Sequence, residues 1–150
     1  MPQDPAAAGL VSALTEAVSP LLRHAGAVFA SHQVPFSQAS LLTDVYELGA
    51  PQRMSTLAQR FEVAPRTVTA LVDGLERRGL VQRTPDPDDR RAILVSLTGK
   101  GNALMQEIEW GKQALADELV NGLTADERAE FARLLAKLRV APGHEKGSPA

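Results

Sequence analysis

Apolar residues recur three or four positions apart over residues 7–32, at Leu10, Leu14, Val18, Leu21, Ala25 and Val28, and this spacing predicts a helix. Ser19-Pro20 interrupts the stripe. A proline removes one backbone donor and crowds the preceding turn, so the pair predicts a kink or a fresh start capped by Ser19. Residues 36–48, FSQASLLTDVYEL, predict a second helix that opens with Ser37 and closes at Gly49; Ala50-Pro51-Gln52 then reads as a loop. Ser55 is placed to cap a short helix over TLAQRF, and Pro65 to open another, PRTVTALVDGLERR, which Gly79 ends. Only Glu62-Val63-Ala64 joins these two helices, and so short a linker forces the steep crossing of a helix-turn-helix.

After Gly79 the period changes from 3.6 to two. LVQRT alternates, PDPDDR turns, and Ile93, Val95 and Leu97 alternate again, which predicts a two-stranded hairpin with a long charged loop. Thr98 caps the next helix, which runs to about Asn121-Gly122. Thr124 followed by Glu127 is a capping box opening a last helix, with Phe131, Leu134, Leu135 and Leu138 as its apolar stripe and Pro142-Gly143 as its stop. The expectation is a mainly α fold of about six helices with a small β-hairpin. A helix-turn-helix followed by a charged hairpin is a winged helix-turn-helix. The chain has no internal repeat and no low-complexity segment.

Charge sharpens this picture. The net charge is −2, too little positive charge to coat nucleic acid indiscriminately. Residues 53–91 nevertheless hold eight Arg and six acids, a balance of +2, while the stretches before and after are negative at −3 and −1. Arg makes bidentate contacts with phosphate and guanine; a solvated surface would also account for the excess. In the second short helix Val68, Leu71, Val72 and Leu75 share one face, leaving Arg66, Thr67, Thr69, Ala70, Asp73 and Arg77 elsewhere. Small polar residues there suit a helix that enters a groove about 12 Å wide, and also suit a plain amphipathic bundle helix. The loop DPDDRR has its charge at a tip where nothing can bury it, as expected of a segment whose partner is another molecule. An Arg there can enter a narrow minor groove, and Pro85 and Pro87 stiffen the turn.

These motifs resemble the MarR family of bacterial transcriptional regulators. Asp89-Arg90-Arg91 matches the family's Asp-any-Arg wing pattern, Leu97-Thr98-Gly99-Lys100-Gly101 its strand-to-helix sequence, and LAQRFEVAPRTVTALVDGLERRGLV its helix-turn-helix. The resemblance covers about residues 7–140. It implies a homodimer on an inverted-repeat operator in double-stranded DNA, intertwined through dimerisation helices within 7–35 and 98–140, with 36–97 as the DNA-binding lobe. Past the Pro142-Gly143 stop, 141–150 is expected to be a disordered tail. By the same resemblance Arg91 is the minor-groove side chain and Asp89 its orienting partner. Arg66, Thr67 and Thr69 face the major groove, with Ser55 or Arg77 nearer phosphates. Beside Arg91, Arg90 is expected to touch phosphate. Two positions depart from the pattern. Ala64 stands where a capping side chain contributing about 1 kcal/mol is usual, and Glu62 where the turn usually has Gly, so Glu62 must take an unfavourable backbone or shape a different turn.

Other chemistry is restricted. The chain has no cysteine, which excludes disulfides, thiolate catalysis and thiol redox sensing. No phosphate-binding glycine loop or nucleophile elbow is present, so an enzyme is not expected. No apolar run would span a membrane and no signal peptide is visible in MPQDPAAAG, so the expected location is cytoplasmic. His24 and His32 lie eight residues apart, too far along one helix to share a metal unaided; with Glu16 or Asp44 a zinc site is conceivable, but no metal or cofactor is expected. Arg23, His24, Tyr46 and Trp110, with Phe29 and Phe36, fall near the expected junction of dimer and DNA-binding parts. They could hold a small aromatic or phenolic acid that releases a repressor from DNA, or be core. The alternative is a ligand-independent regulator governed by a partner protein or by abundance.

Overall fold

The structure is a computed structural model that describes residues 5–138. Six helices and three short strands follow in the order α1 (Pro5–Ser31), α2 (Phe36–Leu48), β1 (Gln52–Arg53), α3 (Met54–Arg60), α4 (Pro65–Arg77), β2 (Val81–Pro85), β3 (Ile93–Leu97), α5 (Gly99–Val120) and α6 (Ala125–Leu135). The chain divides into two compact units between Leu115 and Ala116. The first holds α1 to β3 and most of α5; the second holds α6. The tail predicted for 141–150, and the Pro142-Gly143 stop, lie outside the described residues.

Three of the helices end in the same way. In the corner after α1, Gln33 N–H bonds Ala30 O and Val34 N–H bonds Phe29 O. The pattern recurs after α3, with Glu62 N–H on Gln59 O and Val63 N–H on Ala58 O, and after α4, with Gly79 N–H on Glu76 O and Leu80 N–H on Leu75 O. This is the Schellman arrangement, and it needs a left-handed residue at its centre. Gly79 takes that place with φ 69°, Gln33 with φ 56° and Glu62 with φ 51°. The helix-turn-helix thus keeps the usual turn, and Glu62 bears an unfavourable backbone in it. Glu62→Gly is expected to stabilise the fold by roughly 0.5–1 kcal/mol, the left-handed strain relieved less the extra freedom glycine has when unfolded. Urea unfolding at neutral pH measures this, and a lower midpoint would refute it.

Several local expectations give way. Helix α1 continues through Pro20, and Ser19 is no cap: its hydroxyl donates to Thr15 O at 2.6 Å, within the helix. Ser37 and Ser55 are each the second residue of their helices, after Pro35 and Arg53 as extended cap residues without capping side-chain bonds. Arg53 is extended because it pairs with Leu94, and Gln52 with Val95, so a third strand stands where a loop was expected. The sheet order is β1-β3-β2, all antiparallel, with Val81 opposite Leu97 and Pro85 opposite Ile93. Helix α6 stops at Leu135 and leaves Leu138 beyond it. Pro65 at the start of α4, the uncapped Ala64 and the Thr124–Glu127 capping box are as expected.

The core gathers Leu41, Leu42 and Val45 of α2, Leu57 of α3, Val68, Val72 and Leu75 of α4, Val95 of β3, and Leu104, Met105 and Ile108 of α5. Each fully buried leucine contributes about 1.5–3 kcal/mol of transfer free energy. Burying that face of α4 fixes which of its residues look outward.

Candidate nucleic-acid interface

With Val68, Val72 and Leu75 buried, α4 presents Arg66, Thr67, Thr69, Ala70 and Arg77 to solvent. Thr69 Oγ1 donates to Pro65 O at 3.0 Å, which holds the hydroxyl against its own helix and leaves its oxygen free to accept. The groove-facing surface is therefore short-chained, flanked by two long cations.

The loop beyond the β2–β3 ladder is built by its acids. Asp86 is 5% exposed. Its Oδ1 accepts the Asp88 N–H at 2.9 Å, and its Oδ2 accepts from Arg53 Nε at 2.6 Å. Asp89 Oδ1 accepts the Arg91 N–H at 3.0 Å. Asp86-Pro87-Asp88 and Asp89-Arg90-Arg91 are thus two successive Asx turns, each carboxylate bonding the backbone two residues on. Asp86 N–H to Ala92 O and Ala92 N–H to Asp89 O close the loop. Asp89 acts on the backbone of Arg91 here. The expected orienting contact with its guanidinium is absent among the described residues. Contrary to expectation, the charge of the loop is not all unburied: Asp86 is enclosed, and with Asp89 it gives the loop a fixed shape.

The Asp88 N–H holds the Asp86 carboxyl below the usual carboxylate range, with Arg53 and the Asp89 N–H acting the same way and burial opposing them. A depressed folded value means that the carboxylate adds stability above the unfolded value of ~3.9 and loses it as pH falls through the folded value. Amide exchange at Asp88 and Ala92 is therefore expected to quicken below about pH 4 in the wild type, and to lose this acid dependence in Asp86→Asn. Unchanged protection of the wild-type loop down to pH 3 would refute the assignment.

A second brace ties the hairpin to α4. Arg83 of β2 reaches Asp73 at 2.6 Å and Glu76 at 2.5 Å. The eight arginines of 53–91 now separate into two sets. Arg53, Arg60, Arg78 and Arg83 are engaged within the chain, by Asp86, by Asp44, by the carbonyls of Gln33 and Gly74, and by Asp73 with Glu76. Among the described residues Arg66, Arg77, Arg90 and Arg91 have no partner. An open cleft of about 630 Å³ separates α4 from the loop, and Ser55, Thr69, Asp89 and Arg91 line it with Arg53 and Arg83. Sequence reasoning missed Arg53, Arg83 and Asp86. An aspartate between two prolines is a turn signal that marks Asp86; nothing local marks its arginine.

The expected effector residues differ in their surroundings. Arg23 is exposed and Trp110 is 72% exposed. His24 packs on Gly111 of α5, with Nε2 buried and unpartnered among the described residues. Tyr46 lines a pocket of about 280 Å³ with Pro51, Ser96 and Asn102. Phe29 packs against the core, whereas Phe36 is 88% exposed. His32 Nε2 lies 3.7 Å from Glu107, and Asp44 is bound to Arg60. Among the described residues no group of three His, Asp or Glu could hold a metal, and no helix is long and apolar enough to cross a membrane.

A helix-turn-helix whose second helix is braced to a hairpin that carries a charged two-turn loop defines a winged helix-turn-helix protein. A profile of the MarR family matches residues 36–93. The chain is 37% identical over 89 residues to the HTH-type transcriptional repressor MdtR of Bacillus subtilis, across 59% of this chain and 57% of that protein. It is 30% identical over 108 residues to the uncharacterized HTH-type transcriptional regulator YkoM of the same organism, across 72% of this chain and 70% of the relative. The fold matches a mutant MarR from E. coli solved in complex with operator DNA, with TM-score 0.58 and 28% identity over 86% of this chain and 92% of the other. The chain belongs to the MarR family. The match to MdtR spans little more than half of that repressor's length.

Proposed function

We propose that this protein is a DNA-binding transcriptional regulator, a homodimeric repressor that a small aromatic ligand releases from an inverted-repeat operator. The observation that carries the reading is the sorting of arginines: those left unpartnered, Arg66, Arg77, Arg90 and Arg91, lie on the helix and the loop that flank one cleft. In this reading Arg66, Thr67 and Thr69 face the major groove, Arg91 enters the minor groove, and Ser55, Arg77 and Arg90 meet phosphates. Asp89 holds the backbone that carries Arg91. The operator complex of the E. coli MarR mutant supports DNA as the partner, and the name of MdtR supports repression.

Dimerisation is supported by apolar surface that the chain leaves uncovered. On α1, Leu10, Val11 and Leu22 are exposed; on α6, Phe131, Leu134 and Leu135 are. Such residues are ordinary singly, but in stripes they mark a face for another protein surface, and a second copy supplies matching stripes. The proposed dimerisation helices lie within 7–35 and 98–140, around the DNA-binding lobe of 36–97. Two lobes held by one dimer must match a fixed spacing of half-sites. A ligand that changes the spacing spoils both together, and a hundredfold loss of affinity needs about 2.7 kcal/mol of coupling.

The test is selection of genomic fragments by the purified protein, followed by sedimentation and by anisotropy on the selected site. A dimer that prefers an inverted repeat is expected; a monomer, or equal affinity for unrelated DNA, would overturn the reading. The exposure of Arg23 and Trp110 favours a second reading, a regulator answering to a partner protein or to its own abundance. A thermal-shift screen of aromatic acids on wild type, Arg23→Ala and His24→Ala separates the two. Failure of every acid to stabilise the wild type or loosen its DNA complex at millimolar concentration would favour the second.

A further inference from the structure

Arg78 follows the last residue of α4, and its guanidinium is shared between two helix ends. Nε donates to Gln33 O at 2.9 Å, in the corner that ends α1, and NH1 donates to Gly74 O at 2.9 Å, in the last turn of α4. The terminal carbonyls of a helix lack intrahelical donors and carry the negative end of its dipole. In α4, Leu75 O accepts from Leu80 and Glu76 O accepts from Gly79, which leaves Gly74 O to the guanidinium. Among the described residues Arg78 meets no carboxylate, so the two helix ends supply its negative partners. The planar fork of Arg reaches both carbonyls at once, which a lysine ammonium on one stem cannot do as well.

The neighbourhood leaves little slack. Gln33 is the left-handed residue of its corner, with φ 56°, so its carbonyl direction is set by the turn. Gly74 has no side chain, and the Gln38 amide of α2 lies in the space a Cβ would fill. Lys100, at the start of α5, donates from Nζ to Arg78 O at 2.9 Å. The corner between α1 and α2 is therefore pinned to the far end of α4 by one side chain, whose own backbone is held from α5.

We infer that Arg78 is a positioning residue that fixes the orientation of α4 relative to α1, and thereby sets how strictly the protein discriminates half-site spacing. The inference rests on the DNA-binding dimer proposed above, in which α1 belongs to the dimer and α4 enters the groove. Rotation of α4 against α1 must break the bond to Gln33 O or the bond to Gly74 O. Removing Arg78 loosens that joint while leaving the groove-facing residues in place.

Two measurements test it. The first is anisotropy on inverted repeats selected by the wild type, at the preferred spacing and at spacers one base pair longer and shorter. Arg78→Ala is expected to lower affinity at the preferred spacing by about tenfold, within the range of coupling between sites, and to shrink the penalty for the altered spacers. Arg78→Lys should fall between. Simple loss of stability lowers the competent fraction on every spacer equally, so an unchanged ratio between spacers overturns the inference. The second needs no DNA. The chain has no cysteine, so spin labels at Ala27→Cys and Ala70→Cys, diluted with unlabelled chain, report the α1–α4 distance within one protomer. The distribution should be narrow in the wild-type background and broader with Arg78→Ala; equal widths overturn the inference. Failure of the wild type to bind any inverted repeat would sink the DNA-binding reading, and the distances would still judge the brace.

Discussion

Arg91→Ala is expected to weaken binding to the preferred operator by about 1–3 kcal/mol, roughly 5- to 150-fold, as for loss of a groove-inserted Arg. Arg91 lines the cleft between α4 and the loop, and among the described residues its guanidinium has no partner. No intrachain contact must break before it meets DNA, so its full interaction is available to the complex. Its backbone N–H is held by Asp89, which limits the freedom lost on docking. Arg90 is equally unpartnered but does not line the cleft. Arg90→Ala should instead lower the slope of log affinity against log salt by about 1, the signature of one phosphate contact. Anisotropy over a salt series with the single variants separates the roles. Equal losses of affinity and equal changes of slope would show that the tip contacts DNA without distinguishing the two side chains. Asp89→Ala should weaken binding as well, through the backbone of Arg91.

Gly101→Ala is expected to destabilise the fold by about 1–3 kcal/mol, the usual cost of overpacking a closed site, and to lower the thermal midpoint accordingly. A Cβ on Gly101 would run into the carbonyl oxygen of Leu80. That oxygen cannot swing aside, because it accepts the Thr98 N–H at 3.0 Å. Thr98 in turn accepts the Gly101 N–H at 3.0 Å and donates to Gly79 O at 2.6 Å, so the start of α5 is locked to the end of α4. Relief must come from moving α5 away from the sheet, at the expense of packing around Leu104 and Met105. By contrast, Gly99 has nothing within contact distance of a Cβ, so Gly99→Ala should leave the midpoint nearly unchanged. Differential scanning calorimetry of the two alanine variants is the check. A Gly101→Ala protein as stable as the wild type would mean that the junction yields more easily than its hydrogen bonds imply.

The sequence alone determined the helices, their order and the hairpin, because those depend on near neighbours. A stripe at Leu10, Leu14 and Val18 needs only the pitch of a helix to become a face. Pro65, Gly79 and Thr98 act on backbone groups a few residues away, and the capping box of Thr124 and Glu127 closes within one turn. The motif Leu97-Thr98-Gly99-Lys100-Gly101 was legible for the same reason, although why Gly101 must be glycine was not, since the Leu80 carbonyl that excludes a side chain arrives from the turn after α4. The charge of residues 86–91 marked a candidate site without saying what each charge does. Only the tertiary structure decided that Asp86 is bound by an arginine 33 residues away, because the bridge depends on β1 lying beside β3 in register. That pairing also made Arg53 an extended residue and moved Ser55 from cap to cleft. Likewise, Arg83 faces Asp73 and Glu76 only once the hairpin packs on α4. The eight arginines of 53–91 look alike as a composition; the fold brings carboxylates and helix-end carbonyls to four of them and leaves Arg66, Arg77, Arg90 and Arg91 unpartnered, because hydrogen-bonding range is a few ångströms in space and has no counterpart in sequence distance.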